Sequence, residues 1–230
     1  MADADAQPTL RSILRFPNES PDYRAARDAL LTAEVELRRH TEQVAALRRT
    51  LPMGGEIPED YLFEGDDGSV RLSQLFGDKD TLIAYSYMYG PQMERPCPSC
   101  TSMLDALEAQ AEAISQRAAL VVVAKSPLAR IKAFTEPRGW RRLRLLSSAG
   151  NSYNPDYRGE DARGHQQPML NVFSRKDGAI RHFWASEMLY APCDPGQDPR
   201  HVDMLWPVWS ALDCTPEGRG QGFYPKLSYD

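Results

Sequence analysis

Ala119-Leu-Val-Val-Val-Ala124 is an apolar run without a polar break, the pattern of a strand covered on both faces. Such a strand belongs inside a sheet flanked by helices, so the run points to an α/β architecture. Its surroundings agree. Thr81-Leu-Ile-Ala-Tyr-Ser-Tyr-Met-Tyr89 reads as a preceding strand, residues 127–136 as a helix and residues 143–147 as a further strand. Strands alternating with helices imply crossover connections and parallel pairing.

Between the first two of these strands stands Cys97-Pro98-Ser99-Cys100. After it Met103, Leu104, Leu107, Ala111 and Ile114 recur at helical spacing, which places Cys97 at or just before a helix N-terminus. A thiol reacts as its thiolate, and the unpaired N–H groups and partial positive charge of a helix start favour that anion. Pro98 suits the first turn, where its fixed φ is already helical and its missing N–H had no partner to lose. Cys100 falls on the face of Met103, Leu104 and Leu107, so it is expected to be the more buried, resolving thiol. Two plainer readings compete. The pair could be inert and structural, although a helix start is a poor place for an inert thiol. It could hold zinc, but a closed tetrahedral site needs four ligands, and neither a second CxxC nor a His-x3–5-His occurs. No metal and no bound cofactor are therefore expected.

The flanks add strands and a helix. Ser20-Pro21 is a cap and first-turn pair. From there Tyr23, Leu30, Leu37, Val44 and Leu51 fall seven residues apart, with Ala26, Ala33, His40 and Leu47 as a second row. This heptad pattern predicts a long amphipathic helix that either packs along the protein's own core or forms a dimer seam. Leu51-Pro52-Met53-Gly54-Gly55 ends it. Tyr61-Leu-Phe63, Gly65-Asp-Asp-Gly68 and Ser69-Val-Arg71 predict a hairpin, and Leu72–Phe76 one helical turn. Residues 150–167 read as a long loop, Pro168–Trp184 as a second hairpin, and residues 201–213 as a short closing helix. The expected layout is a mobile arm over 1–20, the N-terminal helix over 21–55 and an α/β domain over 56–230.

That order of elements resembles the thioredoxin fold in an extended version with extra N-terminal strands. Pro168-Met-Leu-Asn-Val-Phe-Ser-Arg-Lys-Asp-Gly178 is similar to the thioredoxin segment in which a cis-proline opens a strand that turns through glycine into the next. More closely, the chain from Tyr23 to Tyr229 resembles a bacterial family labelled a domain of unknown function. That family is predicted to comprise dithiol-disulfide oxidoreductases related to the alkyl hydroperoxide reductase group. The residues carrying this are Ala25–Leu31, Asp60-Tyr-Leu-Phe63, Leu82–Pro91, Cys97-Pro-Ser-Cys100, Gly139-Trp140 and Leu212–Arg219. One departure is that Thr101-Ser-Met-Leu follows the motif, where the family has a serine and an aromatic-rich stretch. The resemblance implies a cis Pro168 facing Cys97, with Gln167, Pro168, Pro98 and Ser99 bordering the substrate.

Together these readings predict a dithiol-disulfide oxidoreductase with Cys97 as nucleophile and Cys100 as resolving thiol, acting on a protein or small-molecule disulfide and recharged by an external electron donor. Two alternatives stand beside it. A thiol peroxidase would pass through a sulfenic acid on Cys97, but a peroxiredoxin-like Pro-x3-Thr-x2-Cys is not met by Pro91-Gln-Met-Glu-Arg-Pro-Cys97. A non-catalytic binding or assembly protein would use the heptad helix to form a homodimer. Among other residues, Tyr85, Tyr87 and Tyr89 are expected to pack in the core, Glu94 and Arg95 to be solvated, and Lys125 to emerge near the active edge. Trp206 and Trp209 should anchor the last helix, and Cys193 should be an exposed loop thiol.

A formal charge of −5, from 27 basic against 32 acidic side chains, argues against a nucleic-acid partner. No run approaches the ~18 apolar residues of a membrane helix, and Met1-Ala-Asp-Ala-Asp-Ala-Gln-Pro lacks the basic and apolar regions of a leader. Four cysteines, two of them in one motif, do not resemble an extracellular disulfide framework. A cytoplasmic protein is expected.

Overall fold

The computed structural model describes residues 10–220 and 222–229, so residues 1–9 of the expected mobile arm lie outside the described residues. The chain divides into two compact units that meet in sequence at Pro52 and Met53.

The first unit is built on helix α1 (Pro21–Arg49). Ser20 caps it by accepting the Tyr23 N–H at 3.1 Å, Pro21 occupies the first turn, and Arg48 and Arg49 lie where cations favour the helix C-terminus. Residues 10–12 fold back along it, with Leu10 N–H donating to Thr32 Oγ1 at 2.9 Å and Ser12 N–H to Asp28 Oδ1 at 3.1 Å. Leucines of both heptad rows are exposed, Leu30 by 46% and Leu37 by 66% in the first and Leu47 by 67% in the second. The buried residue of the helix is Asp28, paired with Arg24.

In the second unit, β1 (Leu62–Gly65) and β2 (Gly68–Arg71) form the predicted hairpin, and α2 (Leu72–Leu75) is the predicted helical turn. Then follow β3 (Thr81–Ser86), α3 (Pro98–Ile114), β4 (Ala119–Ala124), α4 (Leu128–Thr135) and β5 (Arg144–Ser147). Both crossovers join parallel neighbours, β3 to β4 and β4 to β5. After the one-turn α5 (Tyr153–Asp156) come β6 (Met169–Lys176) and β7 (Ala179–Ala185), and the chain closes with α6 (Pro207–Leu212). The β6–β7 turn is Asp177-Gly178, both with positive φ (53° and 78°), the two-residue geometry that matches strand twist. All seven strands form one mixed sheet, ordered β2-β1-β5-β4-β3-β6-β7.

Strand alternation sorts the core onto two faces. Tyr85, Leu120, Val122, Ala124 and Leu170 face α3 and α4, meeting Met103, Leu104, Leu107, Leu128 and Ile131. Leu82, Ala84, Val121, Val123, Leu146 and Phe173 face the other way, meeting Leu72 and Leu75 of α2 and Tyr153 of α5. The back of α3 is tied to the start of β5 by one buried carboxylate. Glu108 accepts the backbone N–H groups of Arg141, Arg142 and Leu143 at 2.9 Å each.

Three expectations from the sequence are adjusted. The strand expected to reach Tyr89 ends at Ser86, because the chain then turns tightly, with Tyr89 N–H bonded to Tyr87 O at 2.7 Å. The expected loop over 150–167 contains α5, started by Asn151 Oδ1 accepting the Tyr153 N–H at 3.0 Å. The closing helix splits into a 3-10 turn, Asp203–Leu205, and α6, since Pro207 pushes Trp206 out of helical geometry.

Candidate dithiol site

Cys97 is the N-cap of α3. Its Sγ accepts the Cys100 N–H at 3.4 Å, Pro98 takes the first helical position, and Cys97 is half-buried while Cys100 is buried. Neither cysteine is in a disulfide. The turn after β3 meets both sulfur-bearing residues through one residue, Met88: Cys97 N–H donates to Met88 O at 3.0 Å, and the Met88 N–H reaches the Cys100 sulfur. Pro98 and Ser99 sit half-buried beside Cys97.

These contacts drive the two thiols apart in acidity. A hydrogen bond from the Cys100 thiol is the largest influence on Cys97 and lowers it to about 6; burial opposes it, and the N–H groups of Cys100 and Ser99 and the Tyr224 phenol assist. Burial pushes Cys100 well above its ordinary value, and the adjacent Cys97 sulfur adds to that rise. Cys97 is thus the thiolate at neutral pH and Cys100 the protonated partner.

Tyr85, Tyr87 and Tyr89 are all core residues of the α3 face, and two of them also serve the motif. The Tyr85 hydroxyl bonds the Cys100 sulfur. The Tyr87 hydroxyl bonds Thr101 Oγ1 at 2.7 Å, and Thr101 Oγ1 donates to Cys97 O at 2.8 Å. The residue that departs from the family pattern therefore braces the nucleophile's own carbonyl.

Two contributors escaped the sequence reading. Arg130 on α4 lies over the Tyr89 ring at 4.8 Å and holds the loop that leads into Cys97. It donates to Gly90 O (3.4 Å), Pro91 O (2.9 Å), Met93 O and Glu94 O (3.2 Å). Tyr224, in the C-terminal segment, interacts through its hydroxyl with Cys97 and Ser99. No local pattern marks either one; the helical spacing of α4 shows only its apolar face.

The loop ahead of β6 departs from expectation. Among the described residues no peptide bond is cis, so Pro168 is trans. The trans form is the lower in energy by ~0.5–1 kcal/mol for X–Pro. Here Gln167 N–H is already bonded to Gly159 O at 2.9 Å, which leads the chain into β6 without a reversal. The loop does abut the motif's approach: a Cβ on Gly90 would stand 2.8 Å from Gln166 Cγ. Gln167, expected beside the substrate, instead lines a cavity of about 1120 Å³ with Met169, Asn171, Tyr157, Arg158 and His182; neither cysteine borders it. That cavity opens on the sheet face away from α3, since Leu170 between Met169 and Asn171 packs on the α3 side. There His182 Nε2 meets Asn171 Oδ1 at 3.0 Å. Burial lowers the His182 pKa, so the imidazole is neutral at pH 7.

Lys125 is paired with Glu160 rather than with a thiolate. Glu94, Arg95, Cys193 and Cys214 are exposed. Trp206 packs on the α3-side core and donates its indole N–H to Ser102 Oγ at 3.1 Å. Among the described residues no cluster of three His, Cys, Asp or Glu side chains is placed to hold a metal ion. Nor is any described helix long and apolar enough to cross a membrane.

A mixed sheet with parallel crossovers, an antiparallel closing hairpin and a dithiol capping a helix make up a thioredoxin-like fold. The chain belongs to the family described as bacterial protein of unknown function (DUF899), whose model matches residues 15–229. Among curated proteins nothing matches it. Among solved structures it is similar to thioredoxin peroxidase I of Plasmodium yoelii, at 17% identity over 70% of this chain and 91% of that one, with a TM-score of 0.44. It is also similar to PrxQ of Xylella fastidiosa, at 13% identity over 59% of this chain and 84% of that one (TM-score 0.45). A third is the exposed lipoprotein thioredoxin Etrx1 of Streptococcus pneumoniae, at 13% identity over 65% and 99% (TM-score 0.41).

Proposed function

We propose that the protein is a dithiol-disulfide oxidoreductase in which Cys97 attacks and Cys100 resolves. The observation that carries this reading is the placement of the two free thiols: Cys97 is half-buried at the N-cap of α3 with its Sγ accepting the Cys100 N–H at 3.4 Å, and Cys100 is buried one turn on, an arrangement that lowers the pKa of the first thiol and raises that of the second. In the reductive direction the Cys97 thiolate attacks one sulfur of a substrate disulfide R–S–S–R′. The Cys97–S–R bond forms, the S–S bond breaks, and R′S⁻ leaves to take a proton from solvent. Cys100 then gives up its proton and attacks Cys97 Sγ, closing the Cys97–Cys100 disulfide and expelling RS⁻, which that proton neutralises. Two electrons pass to the substrate, and an external thiol reductant restores the pair. Pro98, Ser99 and Pro168 are the proposed borders of the substrate, which is a protein or small-molecule disulfide, and the cytoplasm is the proposed compartment.

The test is a redox titration of Cys97 and Cys100 in graded thiol buffers, with free thiols counted by mass spectrometry. A single two-electron transition between about −300 and −100 mV, absent in Cys97→Ser, is expected. Cys100→Ser should accumulate a mixed disulfide on Cys97. No disulfide at any poise would overturn the proposal.

The exposed leucines of the two heptad rows of α1, Leu30 and Leu37 in the first and Leu47 in the second, support a second element of the proposal, that a second copy of this chain packs on that face through its heptad spacing. Light scattering should find a dimer that Leu37→Glu converts to a monomer with the Cys97 chemistry intact. A monomeric wild type at high concentration would remove this element.

A further inference from the structure

The segment that carries Tyr224 to the thiols is fastened on both sides of that residue. Upstream, the Phe223 ring meets Trp209 edge-on at 5.7 Å, and Trp209 meets Trp206 at 5.4 Å. Trp206 in turn donates its indole N–H to Ser102 Oγ. Downstream, Pro225 is buried and Leu227 O accepts a hydrogen bond from Arg138 Nη1 at 2.6 Å. Arg138 is itself held by both oxygens of Asp105, at 3.2 and 2.5 Å. Ser102 and Asp105 both belong to α3, about one and two turns beyond Cys97. The two anchors form a strap fixed to the helix that the nucleophile caps, and the residue between them is the one whose hydroxyl meets Cys97 and Ser99.

We propose that Tyr224 is a catalytic residue whose phenol O–H donates a hydrogen bond to the Cys97 thiolate, and that the strap from Phe223 to Leu227 exists to hold it there. This deepens the exchange reading and rests on it. The other donors to Cys97 come from the motif itself, the Cys100 thiol and the N–H groups of Cys100 and Ser99. Tyr224 is the donor supplied from outside the motif. Tyr224 is 57% exposed, and partial desolvation together with the neighbouring Cys97 charge raises its own pKa, so the phenol keeps its proton at neutral pH and can donate.

The experiment is the pH dependence of iodoacetamide alkylation at Cys97 in the reduced full-length protein, followed by peptide mass spectrometry. Tyr224→Phe keeps the ring and removes the O–H, and it should raise the alkylation midpoint by about one pH unit, the scale of one hydrogen bond to a charged acceptor. Trp209→Ala loosens the upstream anchor and should give a rise of the same sign, with the double variant rising no further. A midpoint unchanged in Tyr224→Phe would overturn the proposal. So would a rise in Trp209→Ala alone, since packing of the strap and not the phenol would then be responsible. Alkylation needs no disulfide, so a chain that never forms the Cys97–Cys100 bond would sink the exchange reading while this midpoint still decides the role of Tyr224.

Discussion

The two faces of the sheet are both rich in tyrosine, and they use it differently. On the α3 face the rings of Tyr85 and Tyr87 fill the core while their hydroxyls meet Cys100 and Thr101, so each side chain packs and also serves the motif. On the opposite face Tyr61, Tyr153 and Tyr157 pack against one another and against Phe63 and Phe173 at centroid distances of 4.8–6.5 Å. The Tyr61 hydroxyl is committed to Asp156 at 2.8 Å, a scaffold contact. Aromatic content therefore does not tell the faces apart. What the hydroxyl can reach does.

That contrast can be broken from either side. The largest effect is expected on the scaffold face. Phe173 is fully buried, and Phe173→Ala should cost ~3–5 kcal/mol in a urea melt through lost burial and a cavity. The Cys97 alkylation midpoint should stay near 6 in that variant. A midpoint that moved with Phe173 would mean the faces are coupled through the sheet.

A smaller effect is expected from Arg130→Ala on the reactive face. Four carbonyls of the loop lose their donor, which should cost ~1–3 kcal/mol, and the Cys97 midpoint should climb as the cap loosens. Stability loss without any change in the midpoint would assign Arg130 to the scaffold instead.

The smallest effect is electrostatic. Cys97 titrates near 6 in the folded chain against an ordinary value of 9.0, so between those values the folded state holds fewer protons than the unfolded one. The reduced protein should gain stability as pH rises from about 6 to about 9, and lose that contribution as pH falls through 6. At pH 7 the shift favours the reduced form by roughly 1.4 kcal/mol, which is about 30 mV toward a more oxidising couple. Urea melts of reduced wild type and Cys97→Ser at pH 6 and pH 8 would measure it; parallel curves would show that the thiolate contributes nothing to folding.

Much of the fold was legible because it rests on local rules. The apolar run Ala119–Ala124 reads as a doubly covered strand, Ser20-Pro21 as a helix start, Asp177-Gly178 as a hairpin turn and Pro98 as a first-turn proline. The dithiol was legible for the same reason: both cysteines lie within one turn. Arg130, Tyr224 and Glu108 were not, because each acts on backbone or sulfur more than thirty residues away in sequence, and no periodicity marks such a partner. Pro168 misled because the segment's composition matches a cis-proline turn, while the bond from Gln167 N–H to Gly159 O sets the approach to β6.

Glu108 gives α3 a fixed heel. Its carboxylate grips three successive amides at the start of β5, while the opposite end of the same helix carries the sulfur chemistry. Opening and closing the Cys97–Cys100 bond is then confined to the toe of the helix. Amide resonances of residues 97–101 should shift between redox states while those of 141–143 stay still, and a partner that distinguishes the oxidised from the reduced protein has to read the first turn.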